Sequence, residues 1–127
     1  MIIPEKVTEI REILLDAAKN RTTVPFWTFH KLFGDEKEND RYDTLEEASR
    51  SLAPLKDAIY SVLLAKKDDN GCPGIGFYDV FLNNRRSEFI SITKHTNIHQ
   101  LREEPHHRKN IADLERDRVY QHAKKHY

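Results

Sequence analysis

The sequence predicts an α+β fold: a helical core closed by a β-hairpin, with further helices at the N- and C-terminal ends. Three observations carry this. The apolar run Ile59-Tyr60-Ser61-Val62-Leu63-Leu64-Ala65 has the length and composition of a buried strand. It leads into Asp68-Asp69-Asn70-Gly71-Cys72-Pro73-Gly74-Ile75-Gly76-Phe77, where Asn-Gly is the strongest short turn signal, because a I′ turn needs positive φ at both central residues. Two helical patterns precede that turn, so the order reads helix, helix, hairpin.

Each element follows from a local pattern. Residues 4–19 form an amphipathic helix: Pro4 suits a first turn, and Val7, Ile10, Leu14 and Ala17 share one face with Ile13 and Ala18 beside them. Glu5, Glu9 and Glu12 lie toward its start, where the helix dipole favours negative charge, and Asn20 stops it. Arg21 to Val24 is a brief β-branched strand. Pro25 opens a second helix with Phe26, Phe29 and Phe33 at helical spacing, Trp27 adding to the same apolar mass, and Gly34 as its C-cap. Asp35 to Asp40 is an acidic loop. A third helix begins at Asp43 or Thr44, where Thr44-Leu45-Glu46-Glu47 has the form of a capping box, and Pro54 ends it.

The run from Ala58 to Ala65 is then the buried strand. Phe77 to Phe81 returns along it or begins a short helix, and Glu88 to Ile92 supplies a further strand. Residues 95–108 are weakly patterned and read as loop. Asn110 to Tyr127 is a helix with Ile111, Leu114, Val119 and Ala123 on or near one face. Phe26, Phe29, Leu45, Leu52, Val62 and Leu64 are the expected core.

The 127 residues suffice for one domain with one core, spanning residues 1–127, without metal or disulfide support. A 38% hydrophobic and 33% charged composition is that of a globular chain. The single cysteine, Cys72, excludes an internal disulfide; placed in a turn and partly exposed, it points to a reducing cytoplasm. No apolar run reaches the roughly 18 residues a bilayer span requires, so no membrane partner is expected. The formal charge is zero but uneven: residues 1–50 hold 8 Lys/Arg against 11 Asp/Glu, and residues 51–127 hold 13 against 10.

The Thr-Val strand, the Pro-Phe-Trp helix, a capped short helix, Ala-Pro-Leu, a buried strand and Lys-Lys-Asp-Asp-Asn-Gly-Cys-Pro-Gly-Ile-Gly-Phe follow one another across roughly residues 20–81. This order resembles small bacterial winged helix-turn-helix domains. The resemblance implies a β-hairpin wing at residues 58–81 and a C-terminal helix packed behind it. Such domains serve as DNA readers, as protein-docking modules and in phage or defence systems, so the fold alone names no function. The helix before the wing departs from a DNA reader: it carries Asp43, Glu46 and Glu47 against Arg50, and carboxylates repel phosphate.

No motif points to catalysis. Gly71-x-x-Gly74-x-Gly76 is neither a Walker loop nor a dinucleotide fingerprint. The pairs His95/His99 and His122/His126 have helical metal spacing but lack the H-E-x-x-H form, and surface histidines are the simpler reading, so neither metal nor other cofactor is expected. Cys72 with His30 or His95 lacks a local activating feature.

Two functions of different class remain. The first is a non-catalytic nucleic-acid-binding protein, a small regulator on duplex DNA. Lys66, Lys67, Arg85, Arg86, Arg108 and Lys109 would hold phosphate, and Arg50 and Lys56 would lie nearest the bases. The second is an immunity, antitoxin or anti-defence module that docks Asp35, Glu36, Asp43, Glu46 and Glu47 on a basic protein partner.

Overall fold

The computed structural model describes residues 1–127, and its architecture is helical. The chain runs α1 (Pro4–Lys19), β1 (Val24–Pro25), α2 (Phe26–Lys31), α3 (Glu38–Leu52), a 3₁₀ turn (Tyr60–Leu63), β2 (Leu64–Ala65), a second 3₁₀ turn (Lys67–Asp69), α4 (Ile75–Asn84), α5 (Arg86–Thr93), a third 3₁₀ turn (Gln100–Glu103) and α6 (Pro105–His126). Helix accounts for 69% of the residues and strand for 3%. The expected α+β core with a hairpin wing is therefore corrected to a six-helix fold with one minimal sheet.

That sheet pairs β1 with β2 in parallel, Val24 opposite Leu64 and Pro25 opposite Ala65. A parallel pair needs a long crossover, and α2 with α3 supplies it. The Asn-Gly turn does form. Asn70 (φ 53°) and Gly71 (φ 77°) both take left-handed angles, and the Cys72 amide donates to the Asp69 carbonyl at 2.9 Å, which closes a I′-type turn. Lys66 donates to Cys72 O at 2.9 Å, and Gly71 donates back to Lys66 O at 2.8 Å. The pairing stops there, because Pro73 has no amide to continue a ladder.

Beyond Pro73 the chain becomes α4 rather than a return strand. Phe77, Tyr78, Phe81 and Leu82 are buried at helical spacing, whereas a strand would have directed Asp79 inward with Phe77 and Phe81. The strand expected at 88–92 is likewise helix: Phe89 and Thr93, one turn apart, are buried in α5, and Ile90 and Ile92 are half-buried. Between Ala58 and Ala65 only the last two residues are strand; Tyr60–Leu63 is a buried 3₁₀ turn and Ala58–Ile59 is buried, irregular backbone.

The third helix starts at Glu38, so the acidic stretch is partly helical and Thr44 is not a cap. Buried mid-helix, Thr44 donates its hydroxyl to Asp40 O at 2.6 Å and accepts the Ile3 amide at 2.9 Å, tying α3 to the start of α1. The second helix ends at Lys31, and Gly34 lies beyond it with φ 58°. The last helix begins at Pro105, which suits a first turn, five residues before the expected start.

One core joins all six helices, with α1 packed chiefly on α3 and then on α6. Phe29, Leu45, Leu52, Val62 and Leu64 are buried as expected, but Phe26 is half-buried. Trp27 (68% exposed) and Leu114 (47% exposed) lie outside the core. Cys72 is buried, not partly exposed. No helix is long and apolar enough to cross a membrane.

Candidate functional site

Polar staples running from α6 hold the segments that carry several candidate side chains. Arg116 donates through Nε to Val62 O at 2.9 Å, and through Nη2 to Leu64 O at 3.0 Å and Gly71 O at 2.7 Å. It thereby satisfies carbonyls that a wider sheet would otherwise have paired. Desolvation there lowers its pKa. Arg108 donates to both Asp69 oxygens (2.9 and 3.3 Å) and to the carbonyls of Leu101 and Arg102, both at 2.8 Å. The Tyr78 hydroxyl donates to Arg108 O at 2.8 Å. The Asp69 partnership raises the Arg108 pKa, and burial raises that of Tyr78.

These bonds shape a cleft of about 200 Å³, lined by Lys66, Asp69, Pro73, Gly74, Ile75, Tyr78, Arg102 and Arg108. Three cations face one carboxylate. Gly74 is the N-cap of α4, so the unpaired amides of that helix's first turn lie at the same place. Asp69 already neutralises part of Arg108, but Lys66 and Arg102 have no carboxylate partner. Lys67, next in sequence, is exposed and likewise unpaired.

The remaining expected phosphate contacts are dispersed. Lys56 and Arg85 line a second, wholly polar cleft of about 600 Å³ with Asp57, Glu88, Arg118, Gln121, His122, Lys125 and His126. Its two arginines are committed elsewhere. Arg85 holds the fully buried Glu115 through two bonds, 2.6 and 3.1 Å, and Arg118 bridges Glu115 and Glu88. The Ile59 amide completes that carboxylate's shell at 2.8 Å. Arg86 is exposed and reaches only Thr96 O, at 3.3 Å. Lys109 pairs with Asp113 at 3.1 Å, and Arg50 with Glu47 at 3.5 Å.

The acidic set does not form one surface. Asp35 and Glu36 are exposed, whereas Asp43 accepts the Met1 ammonium at 2.7 Å and Glu47 faces Arg50. Glu46 is the exception. Its Oε1 is closed from solvent and accepts no hydrogen bond, and desolvation pushes its pKa up to about 7, against the weaker opposing effects of the Ser61 hydroxyl and Arg50. Ser61 is 2% exposed and its hydroxyl is also unpartnered. Both residues line a cavity of about 130 Å³ with Phe26, Tyr42, Leu45, Leu64 and Phe77.

One cluster has the donor types of a divalent-ion site: Glu104, His106 and His107 offer ligand atoms within 4.8 Å of one another. Glu104 Oε1 is already bonded to His95 Nε2 at 2.7 Å. The cluster also sits at the start of α6, where the helix dipole opposes a cation. The helically spaced pairs His95/His99 and His122/His126 do not converge on a third ligand; His122 instead bonds the Tyr60 hydroxyl at 2.8 Å and lies against the His126 ring.

Arg102, Tyr78 and Ser61 are site residues that local sequence patterns miss. Arg102 lies in the weakly patterned 95–108 stretch, and only the packing of the 100–103 turn brings it to Lys66. No family model matches the chain, and no match is found among curated proteins or solved structures.

Proposed function

We propose that this is a non-catalytic nucleic-acid-binding protein that grips phosphate in the cleft formed by Lys66, Arg102 and Arg108. The convergence of those three cations, two of them without a carboxylate partner, carries the reading. Phosphate contacts of this kind give affinity without reading sequence. The amides at the start of α4 add a dipole that favours an anion. With no wing to enter a groove, the cations of this cleft contribute affinity through the phosphate backbone. Three of the five acidic residues proposed to dock a basic protein are paired internally or closed from solvent, which favours the nucleic-acid reading over the docking one.

Fluorescence anisotropy with labelled single-stranded and duplex oligonucleotides, titrated at several salt concentrations, tests this. The Lys66→Ala/Arg102→Ala variant is expected to bind every sequence more weakly. Its salt slope should fall by about 1.8, at roughly 0.9 per phosphate contact on duplex, and by less on single strands. Unchanged affinity and slope in that variant would refute the reading.

A further inference from the structure

The cavity holding Glu46 and the cationic cleft are neighbours. Pro73 and Gly74 line both, one from each side. Lys66 of the cleft lies over the ring of Phe26 of the cavity, its Nζ 5.9 Å from the ring centroid. The Gly74 backbone runs so close to that ring that an added Cβ would sit 3.3 Å from Phe26 Cζ. One partition of two residues thus separates a positively charged compartment from an aromatic one.

The aromatic compartment contains an unexplained polar pair. Glu46 Oε1 and Ser61 Oγ are both shut off from solvent and neither has a partner in full hydrogen-bond geometry, although the Ser61 hydroxyl lies near enough to favour the carboxylate. A buried polar group without a well-formed partner is costly and calls for an explanation, and a bound ligand is one. The walls around the pair are Phe26, Tyr42, Phe77 and Leu64, surfaces on which a flat ring stacks. At about 130 Å³ the space is close to the roughly 150 Å³ cavity that holds one benzene ring.

We propose that this cavity takes the six-membered ring of a guanine base while the phosphate of the same nucleotide occupies the Lys66–Arg102–Arg108 cleft. Above about pH 7, where Glu46 is ionised, its carboxylate only accepts hydrogen bonds. Guanine presents two adjacent donors, N1–H and the N2 amino group, on one edge, which one carboxylate takes together. Adenine and cytosine present a single amino group beside an acceptor, and that acceptor would face the carboxylate's second oxygen. The Ser61 hydroxyl, donor or acceptor, completes the floor. The five-membered ring and sugar would lie at the cavity mouth, toward the partition. The inference rests on the reading of the cleft as a phosphate site, and it identifies the base that accompanies that phosphate.

Isothermal titration at pH 8 with GMP, AMP, guanosine and inorganic phosphate, on wild type, Glu46→Gln and Lys66→Ala/Arg102→Ala, decides it. Wild type should bind GMP about tenfold tighter than AMP, the discrimination typical of one bidentate contact to a base. Glu46→Gln should weaken GMP and strengthen AMP, erasing the preference, because the amide offers a donor to adenine N1 where the carboxylate offered only an acceptor; retained helical circular dichroism shows that the variant folds. The double variant should weaken GMP and AMP by the same factor. A 5′-phosphorylated trinucleotide beginning with guanine, set against one beginning with adenine, distinguishes a strand end from a free nucleotide as the source of the ligand. Equal binding of GMP and AMP, no binding of GMP, or a GMP affinity unmoved by Glu46→Gln overturns the base assignment. If the double variant still loses oligonucleotide affinity in any of those cases, the phosphate reading survives. Guanosine binding that depends on Glu46 but is indifferent to Lys66 and Arg102 would instead leave the base pocket and remove the phosphate cleft.

Discussion

Arg85, at the junction of α4 and α5, and Glu115, in the middle of α6, form a buried two-bond ion pair at 2.6 and 3.1 Å. Glu115 has no solvent exposure, and its oxygens also accept from Arg118 and from the Ile59 amide. This carboxylate therefore ties the α4–α5 corner and the 59–63 segment to α6. Breaking such a pair by removing one partner leaves an uncompensated buried charge, which costs on the order of 3–5 kcal/mol. Urea denaturation of Glu115→Ala should show a loss of that size. Arg85→Ala should lose a comparable amount, and the double variant less than the sum, because the two side chains act on one interaction.

Glu46 makes stability fall as pH rises. Its carboxyl has an ordinary value of 4.5 in the unfolded chain and is pushed up to about 7 in the fold. Below pH 4.5 both states hold the proton and nothing is lost. Between 4.5 and 7 the folded state holds more protons than the unfolded one, so the contribution is lost as pH passes through about 7. The full effect is on the order of 3 kcal/mol. Glu46→Gln should remove it: thermal unfolding should show the variant more stable than wild type at pH 8 and equal to it near pH 4. A variant no more stable at pH 8 would contradict the desolvated carboxyl.

Phe29 is 2% exposed and packs edge-on against Phe33 (5.1 Å between centroids) and His30 (5.2 Å). Phe29→Ala should cost roughly 3–5 kcal/mol by chemical denaturation. Trp27→Ala, two residues earlier but 68% exposed, should cost less than about 0.5 kcal/mol.

Two glycines five residues apart in one segment should respond with opposite sign. Gly71 has φ 77°, so Gly71→Ala strains the I′ turn and should destabilise by about 1 kcal/mol. Gly76 lies in the first turn of α4 with nothing within 4 Å of an added Cβ, and Gly76→Ala should be neutral or stabilising by roughly 0.5 kcal/mol. Paired melting curves of the two variants test both.

Much of the helical framework was legible because its signals are local. The bounds of α1 match the predicted 4–19, since Pro4, the Ile10–Leu14–Ala17 face and the Asn20 stop all act within one helix. The positive φ values of Asn70 and Gly71 follow from the dipeptide itself. What that turn joins does not. Residues 58–65 and 75–82 are apolar enough for strand or helix, and short apolar runs carry no period that separates the two. Tertiary packing chose helix after Pro73, because Phe77, Tyr78, Phe81 and Leu82 then share one buried face, and Arg116 from α6 took the carbonyls a longer ladder would have used. The same distance in sequence hid the sites. Lys66 was readable as a cation, but its partner Arg102 lies 36 residues away and meets it only through the fold. Glu46 reads as a surface acid on an acidic helix; only the packing of Ser61, Phe26 and Phe77 around it makes it a desolvated acceptor. Sequence determines the helices and turns whose causes lie within a few residues. Tertiary structure decided the strand-or-helix choice and both candidate sites, because burial and charge pairing depend on residues that meet only when the chain is folded.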